Sequence, residues 1–302
     1  MAAVPSRAML AGVARIAIIG GGSIGEALLS GLLRSGRQAK DMVIAERHRD
    51  RAKYLSETYS VLVTTVADAA ENAAYVIVAV KPSDVELVIG DIAEAAARAE
   101  NSSAEQVFVT VAAGVSTAYY EANLPAGSPV IRVMPNAPVV VGGGVSALAA
   151  GRFATEDQLR EVSAIFDAVG GVLTVPESQL DAVTAVSGSG PAYFFLMVEA
   201  LVDAGVAAGL PRAVATDLAV QTMAGSAAML LESLDRANPS GDGAMGTAMD
   251  TSPAQLRATV TSPGGTTAAG LRELERGGLR AAVAEAVAAA KTRSEQLGIT
   301  PE

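Results

Sequence analysis

The sequence has no cysteine, no tryptophan and a single histidine, His48, in 302 residues. The missing cysteines exclude disulfides, thiolate zinc sites and thiol nucleophiles together, and they fit a reducing compartment such as the cytoplasm. One histidine excludes a multi-histidine metal centre and any mechanism that needs two, so no metal site is expected. Aromatic residues make up only 4% of the chain, too few for a base-stacking surface. Positive charge is also short: 22 Lys and Arg stand against 32 Asp and Glu, a formal net charge of −10. No global field therefore draws the chain to nucleic acid or to anionic lipid, and neither is expected as a partner. The uncharged run Val133–Gly151 is broken by Pro135, Asn136, Pro138 and Gly142–Gly144, which rules it out as a spanning helix. Arg7 precedes a mildly apolar stretch like that of a weak secretory signal, but Arg15 interrupts it, and residues 1–13 read as a frayed lead-in.

What the chain does have is apolar content. Half the residues are hydrophobic and 18% are charged, far from the composition of disordered chains. Its length exceeds what one core usually serves, which points to two domains. The first half alternates short β-rich runs with helical patterns. Ile16–Ile19, Met42–Ala45, Val61–Thr64, Tyr75–Val80, Val107–Val111 and Val130–Val133 read as strands, mostly continuously apolar, with Gly25–Ser35 and Asp50–Tyr59 as crossover helices. That rhythm predicts an α/β fold, a parallel, doubly wound, Rossmann-like sheet. Val145–Leu148 and Val172–Val175 read as further strands flanking a helix that opens at Thr155, with Gln158 placed for a capping box. After Pro176 the composition turns to Ala, Leu, Met and Glu, and the rest reads as all-α. Gly209-Leu210-Pro211 separates two long helices, Ser252-Pro253 starts another, and Leu279–Leu297 is an Ala-rich helix. The Gly-rich segment Asn238–Asp250 reads as a mobile loop.

Gly20-Gly21-Gly22-Ser23-Ile24-Gly25 satisfies GxGxxG directly after a strand and before a helix. Gly20 permits the tight turn, Gly22 lets the backbone approach a pyrophosphate, and Gly25 lets helix and strand pack closely, while the helix N-terminus offers free N–H groups to phosphate. Glu46 ends the second strand 21 residues past Gly25, where a carboxylate accepts hydrogen bonds from an adenosine ribose. Arg47 follows it, in a cluster with His48, Arg49 and Arg51, and a guanidinium there suits a 2′-phosphate. Glu46 thus favours NADH and Arg47 favours NADPH. His48 reads as a surface or adenine-edge residue. Ala79-Val80-Lys81-Pro82 and Ala112-Ala113-Gly114 close two further strands at the edge where open α/β sheets bind ligands, and small residues there let a nicotinamide or its ribose lie against backbone.

In the helical half, Thr261-Ser262-Pro263-Gly264-Gly265-Thr266-Thr267 precedes the helical run Ala268–Arg276. Successive N–H groups at a Gly-Gly turn opening a helix form an anion nest, suited to a small carboxylate, and the Thr266 and Thr267 hydroxyls add donors. Ser187-Gly188-Ser189-Gly190-Pro191 interrupts the first long helical stretch and is expected to break or kink it.

Taken in order, GGGSIG (20–25), AVKP (79–82), AAG (112–114), VMPN (133–136), SGSGPAYFF (187–195) and VTSPGGTTAAGL (260–271) closely resemble the segments of pyrroline-5-carboxylate reductases. The resemblance covers almost the whole chain, and the pair SGSGPAY plus SPGGTT is specific to that family among dinucleotide reductases. It implies an N-terminal Rossmann-like domain over 1–175 and a C-terminal all-α substrate and dimerisation domain over 176–302. It implies NADPH or NADH as reductant, with contacts from Gly20, Gly21, Gly22, Ser23, Ile24 and Gly25, from Glu46 and Arg47, from Ala79, Val80, Lys81 and Pro82, and from Ala112, Ala113 and Gly114. The substrate it implies is 1-pyrroline-5-carboxylate, whose carboxylate would meet Ser262, Gly264, Gly265, Thr266 and Thr267, with Thr267 as the suggested proton donor to the ring nitrogen. It further implies a homodimer, assembled into a larger ring of dimers. The sequence departs from the family pattern at Val66 and Thr259, where relatives often carry Asn, and at the apparent insertion 238–250. Two competing readings are a β-hydroxyacid dehydrogenase, for which Lys291 is the one lysine the α-domain offers as a base, and a dinucleotide-binding protein without turnover.

Overall fold

The computed structural model describes residues 14–71, 73–98, 106–237 and 252–298; the lead-in 1–13 and the Gly-rich segment 238–250 lie outside the described residues. The chain divides into two compact units, one running to Pro191 and resuming from Val287, the other spanning Ala192–Ala286.

The first unit is built on an eight-stranded sheet of order β3-β2-β1-β4-β5-β6-β7-β8. The strands are β1 (Ile16–Ile19), β2 (Met42–Ala45), β3 (Leu62–Thr64), β4 (Tyr75–Val78), β5 (Val107–Thr110), β6 (Val130–Met134), β7 (Gly144–Ala150) and β8 (Gly170–Thr174). The expected strands all form, with ends shifted by one or two residues, the usual uncertainty at element termini. β1 to β6 run parallel, β7 pairs antiparallel with β6, and β8 lies parallel to β7. The sheet is therefore parallel in its body and reversed at one margin.

Each strand side packs a different core, following the two-residue period of β-structure. Ile16 and Ile18 face a cluster with Leu28, Leu29, Leu32, Leu55, Val162, Ile165 and Phe166, whereas Ala17 and Ile19 face one with Val85, Ile89, Ile92, Tyr120 and Leu124. The helices packed against the two faces are α1 (Ser23–Arg34), α2 (Arg49–Tyr59), α3 (Val66–Ala70), α4 (Val85–Arg98), α5 (Thr117–Asn123) and α6 (Glu156–Asp167). Their starts are chemically defined. Thr65 and Ser116 accept from the N–H groups of Asp68 and Tyr119, and Thr155 with Gln158 forms the expected capping box.

A buried junction ties β6 and α5 to the chain leaving β8. Glu177 accepts from the Thr117 N–H at 2.8 Å and from Arg132 at 3.2 Å through one oxygen, and from the Thr117 hydroxyl at 2.6 Å through the other. The Arg132 side chain is only 10% exposed, so this carboxylate neutralises an otherwise isolated buried cation. The chain continues through the short helix α7 (Leu180–Val183) into a π-helical turn, Thr184–Gly188. The Ser-Gly interruption expected from the sequence is this turn: the helix widens there instead of breaking.

The second unit contains most of α8 (Gly190–Ala207), all of α9 (Arg212–Ala237), α10 (Pro253–Thr259) and α11 (Thr266–Arg276), and the start of α12 (Leu279–Leu297). α8 ends as predicted at Gly209, with φ +103°, where the Leu210 N–H reaches back to the Gly205 carbonyl at 3.0 Å. Ser252 caps α10 through the Gln255 N–H. Apolar side chains lie open along α8 and α9: Phe194, Phe195 and Leu196 are 62–66% exposed, with Leu201, Leu218, Leu231 and Leu234 also largely in solvent.

Candidate active site

β1 sits between β2 and β4 with Ile19 level with Ala45 and Val78, so three turns leave the sheet side by side. The chain passes from β1 to β2 and β3 on one side and returns to β4 on the other, which makes this the topological switch point where such sheets bind ligands.

Each glycine of the central turn answers to a separate constraint. Gly20 has φ +106°, and a side chain there would put Cβ 2.6 Å from the Ala79 carbonyl oxygen. Gly25 presses on the turn itself, its ideal Cβ lying 3.2 Å from the Gly20 carbonyl carbon and overlapping the oxygen. Gly22 has open space within 4 Å. It occupies the N-cap of α1 with no side-chain cap, and the first return hydrogen bond is Glu26 N–H to Gly22 oxygen at 2.9 Å. The N–H groups of Ser23, Ile24 and Gly25 therefore lie ahead of the helical ladder and face the open side. A pyrophosphate needs this combination of free N–H groups, a positive helix end and an approach without side chains, so the turn fits a dinucleotide.

The end of β2 carries the residues expected for the adenosine. One Glu46 oxygen accepts from the Gly21 N–H at 3.1 Å and the other from the His48 N–H at 2.8 Å. Each oxygen keeps a second lone pair, so the carboxylate pins the turn and retains capacity to accept further hydrogen bonds. Arg47 is held by Asp84 in a two-pronged pair at 3.2 and 3.3 Å. His48 is exposed at the N-cap of α2, as the surface reading requires.

Sequence reasoning missed the group that braces the turn from behind. Arg51 donates through Nε to the Gly21 carbonyl at 2.7 Å, pairs with Glu26 and stacks over the Tyr54 ring at 5.1 Å; Tyr59 donates to the other Glu26 oxygen at 2.8 Å. Burial alone would raise the Glu26 carboxyl, but the hydrogen bonds from Arg51, Tyr59 and Tyr54 outweigh it and hold the group below the usual glutamate range. Burial and then the Glu26 carboxylate push the Tyr59 phenol up to about 12. The available signal was a second acidic position four residues past the N-cap glycine with an arginine cluster downstream.

The other predicted cofactor residues fall at the same edge. Ala79 and Val80 are half-buried beyond β4, Lys81 is exposed and opens the turn Pro82–Asp84, and Ala112 is buried beyond β5 with Ala113 exposed beside it. Gly114 has φ +77°, and a Cβ there would lie 2.8 Å from the carbonyl oxygen of Leu297, at the end of α12. The sequence marked this glycine for a ligand; the structure also gives it a packing role against the chain terminus of that helix. Next to β6, Gly188 of the π turn meets Met134, whose methyl would be 2.7 Å from a Cβ. A cleft of about 200 Å³ lined by Thr65, Val66, Ala67, Asp91, Glu94 and Ala95 opens where α3 starts, on the β3 side of the turn.

In the helical unit, Ser262–Gly265 forms a tight turn closed by Gly265 N–H to Ser262 oxygen at 3.0 Å, with Gly264 at φ +68°. Gly265 is the N-cap of α11, without a capping side chain, and the first return bond is Ala269 N–H to Gly265 oxygen. The N–H groups of Thr266, Thr267 and Ala268 precede the ladder, and both threonines are exposed. The Gly-Gly turn therefore opens the helix as expected, with the helix starting two residues earlier than the sequence pattern indicated. Lys291, the base required by a hydroxyacid dehydrogenase, pairs with Glu295 one turn away on the surface of α12. That is the arrangement of a solvated helix pair, not of a catalytic base.

Comparison with known proteins agrees with the geometry. Residues 177–297 match the family model for pyrroline-5-carboxylate reductase dimerisation, and residues 15–114 match that for NADP oxidoreductase, coenzyme F420-dependent. The pyrroline-5-carboxylate reductase of Mycobacterium tuberculosis is 72% identical over 295 residues, covering 97% of this chain and all of that protein. Among solved structures, a pyrroline-5-carboxylate reductase from Coxiella burnetii superimposes with a TM-score of 0.84 at 33% identity, covering 95% of this chain and 100% of that one. The Plasmodium falciparum pyrroline carboxylate reductase with NADP bound gives a TM-score of 0.77 at 25% identity over 95% of this chain and 98% of that one. With 72% identity over 97% of its residues, and with its helical half matched by the dimerisation model, the chain belongs to the pyrroline-5-carboxylate reductase family.

Proposed function

We infer that this protein reduces 1-pyrroline-5-carboxylate to L-proline. The bound NADPH or NADH supplies a hydride to the C=N carbon. Full-length kinship carries the reading, and the open Gly22 turn at the switch point supports it from the structure.

The chain's own contribution is then positional. The N–H groups of Ser23, Ile24 and Gly25 hold the pyrophosphate, Glu46 and Arg47 meet the adenosine ribose, and Ala79–Pro82 with Ala112–Gly114 border the nicotinamide half. The nest at Ser262, Gly264, Gly265, Thr266 and Thr267 pins the substrate carboxylate, and the Thr267 hydroxyl hydrogen-bonds the ring nitrogen. A threonine hydroxyl is too weak an acid to protonate an imine unaided, so Thr267 orients a protonated imine or relays a proton from water. Catalysis by such a site rests on orientation and exclusion of alternative poses.

We take the helices after Pro176 as the substrate and dimerisation part, with 1–175 as the dinucleotide part. The open apolar faces of α8 and α9 support a homodimer, as does the dimerisation model that covers them. By length and composition Glu177–Ala207 and Arg212–Leu234 are apolar enough to cross a membrane, but cover by a second subunit accounts for the same surface. We place the enzyme in the cytoplasm, its dimers assembled further into a ring.

The test is loss of reduced-cofactor absorbance with 1-pyrroline-5-carboxylate, run in parallel with NADPH and NADH. Rapid oxidation that requires the imine is the expected result. Binding of dinucleotide without any oxidation would move the protein to the non-catalytic reading.

A further inference from the structure

Arg47 and Asp84 lie on opposite flanks of the dinucleotide turn. Arg47 follows β2 and Asp84 ends the turn after β4, and β2 and β4 are the two neighbours of β1. Their two hydrogen bonds therefore form a clasp across the switch point. The Arg47 side chain is 63% exposed and Asp84 only 26%, so the arginine is the partner more open to an incoming ligand. Of the other arginines in the cluster, Arg51 is committed to Gly21 and Glu26. Arg49 opens α2 with its side chain in solvent.

We propose that Asp84 is a specificity-determining residue, which sets the preference between NADPH and NADH by competing with the adenosine 2′-phosphate for Arg47. The proposal rests on the placement of the adenosine at the end of β2. A 2′-phosphate beside Glu46 presents the same oxygen fork to the guanidinium as Asp84 does, with about twice the charge. To take it, Arg47 must leave Asp84, and the vacated carboxylate then faces a new anion. NADH brings a hydroxyl to the same place. Glu46 accepts that hydroxyl, and the clasp stays closed. Asp84 thus weakens NADPH binding relative to NADH, and it does so through Arg47.

The test is calorimetric titration with NADP⁺ and NAD⁺, which reads binding without substrate or turnover. Asp84→Asn keeps the shape and removes the charge; it should raise the ratio of NADP⁺ to NAD⁺ affinity about threefold, the scale of an exposed ion pair. Arg47→Gln should lower the ratio about tenfold, the scale of a charged hydrogen bond to phosphate. In the double variant the gain from Asp84→Asn should vanish. An unchanged ratio in Asp84→Asn overturns the proposal. So does a gain that survives in the Arg47→Gln background, or a ratio that responds to Arg49→Gln and not to Arg47→Gln. Turnover assays stand apart: wild-type protein that binds both dinucleotides but reduces no imine refutes the assigned reaction and leaves the affinity ratios to decide the role of Asp84.

Discussion

Replacing a helical glycine by alanine usually stabilises a protein, by roughly 0.5–1 kcal/mol, because glycine loses more backbone freedom on folding. Two glycines in the first unit should respond with opposite signs. Gly90, inside α4, has nothing within 4 Å of its ideal Cβ, so Gly90→Ala should gain that amount in full. Gly25, inside α1, has its Cβ position 3.2 Å from the Gly20 carbonyl carbon, 3.3 Å from Ile18 Cγ2 and in overlap with the Gly20 oxygen. Two of these three neighbours are backbone, so no rotamer change relieves the contact. Either α1 lifts from β1 or the Gly20 turn, itself wedged against Ala79, is displaced. Overpacking of this kind costs about 1–3 kcal/mol, and here it removes the helical gain as well. The net expectation for Gly25→Ala is about 1–3 kcal/mol of destabilisation, read as a lower urea midpoint at unchanged m-value. Displacing the N–H groups proposed to hold the pyrophosphate should also weaken dinucleotide binding by tenfold or more, measured by titration, while Gly90→Ala leaves it as it was. A Gly25→Ala variant as stable and as tightly binding as the parent would refute the packing argument, and so would a destabilised Gly90→Ala.

Other expectations can be measured alongside. Thr267→Ala should lower kcat about tenfold with Thr267→Ser restoring most of it, whereas an unaltered rate and pH profile in the alanine variant removes the hydroxyl from the reaction. Glu26 has a carboxyl held below its free value, so its contribution to stability is present above the ordinary glutamate range and disappears as pH falls through the lowered folded value. The gap in urea midpoint between wild type and Glu26→Gln should accordingly close on acidification, and a gap that widens would contradict the assignment. Glu177→Ala strands Arg132 and both Thr117 donors, and should cost about 2–3 kcal/mol by the same assay. Phe195→Glu together with Leu231→Glu should leave the first unit folded but shift the sedimenting species to monomer; persistence of the dimer would place the subunit contact elsewhere.

What the sequence disclosed about this fold was whatever is encoded over short distances. The GGGSIG turn was readable because its three constraints fall within six residues, and the Thr155 cap because its partner is three positions on. The reversal of β7 was harder to see, since an apolar strand has the same pattern in either direction. Its signal lay in the connection: the nine residues between Met134 and Gly144 are too few for the helical crossover a parallel neighbour needs. The brace around Glu26 was illegible because Arg51 and Tyr59 lie 25 and 33 positions away, on a helix whose rotation the sequence leaves open. The partner of Gly114 is more distant still, at the far end of the chain. Arg47 drew attention for its charge, but only the folded chain reveals that a carboxylate two crossovers later already holds it.

The open faces of α8 and α9 also decide what kind of quantity the stability of this protein is. If a second copy covers this surface, as proposed, folding of the helical unit and pairing become one equilibrium, governed by mass action. Each tenfold dilution then removes about 1.4 kcal/mol from the assembled state, and the melting temperature falls with it. A substitution that merely halves cellular abundance would weaken every remaining molecule slightly, and one defective subunit would draw a sound one into the same complex. The threshold for loss of activity is therefore set by the amount of protein as much as by its sequence.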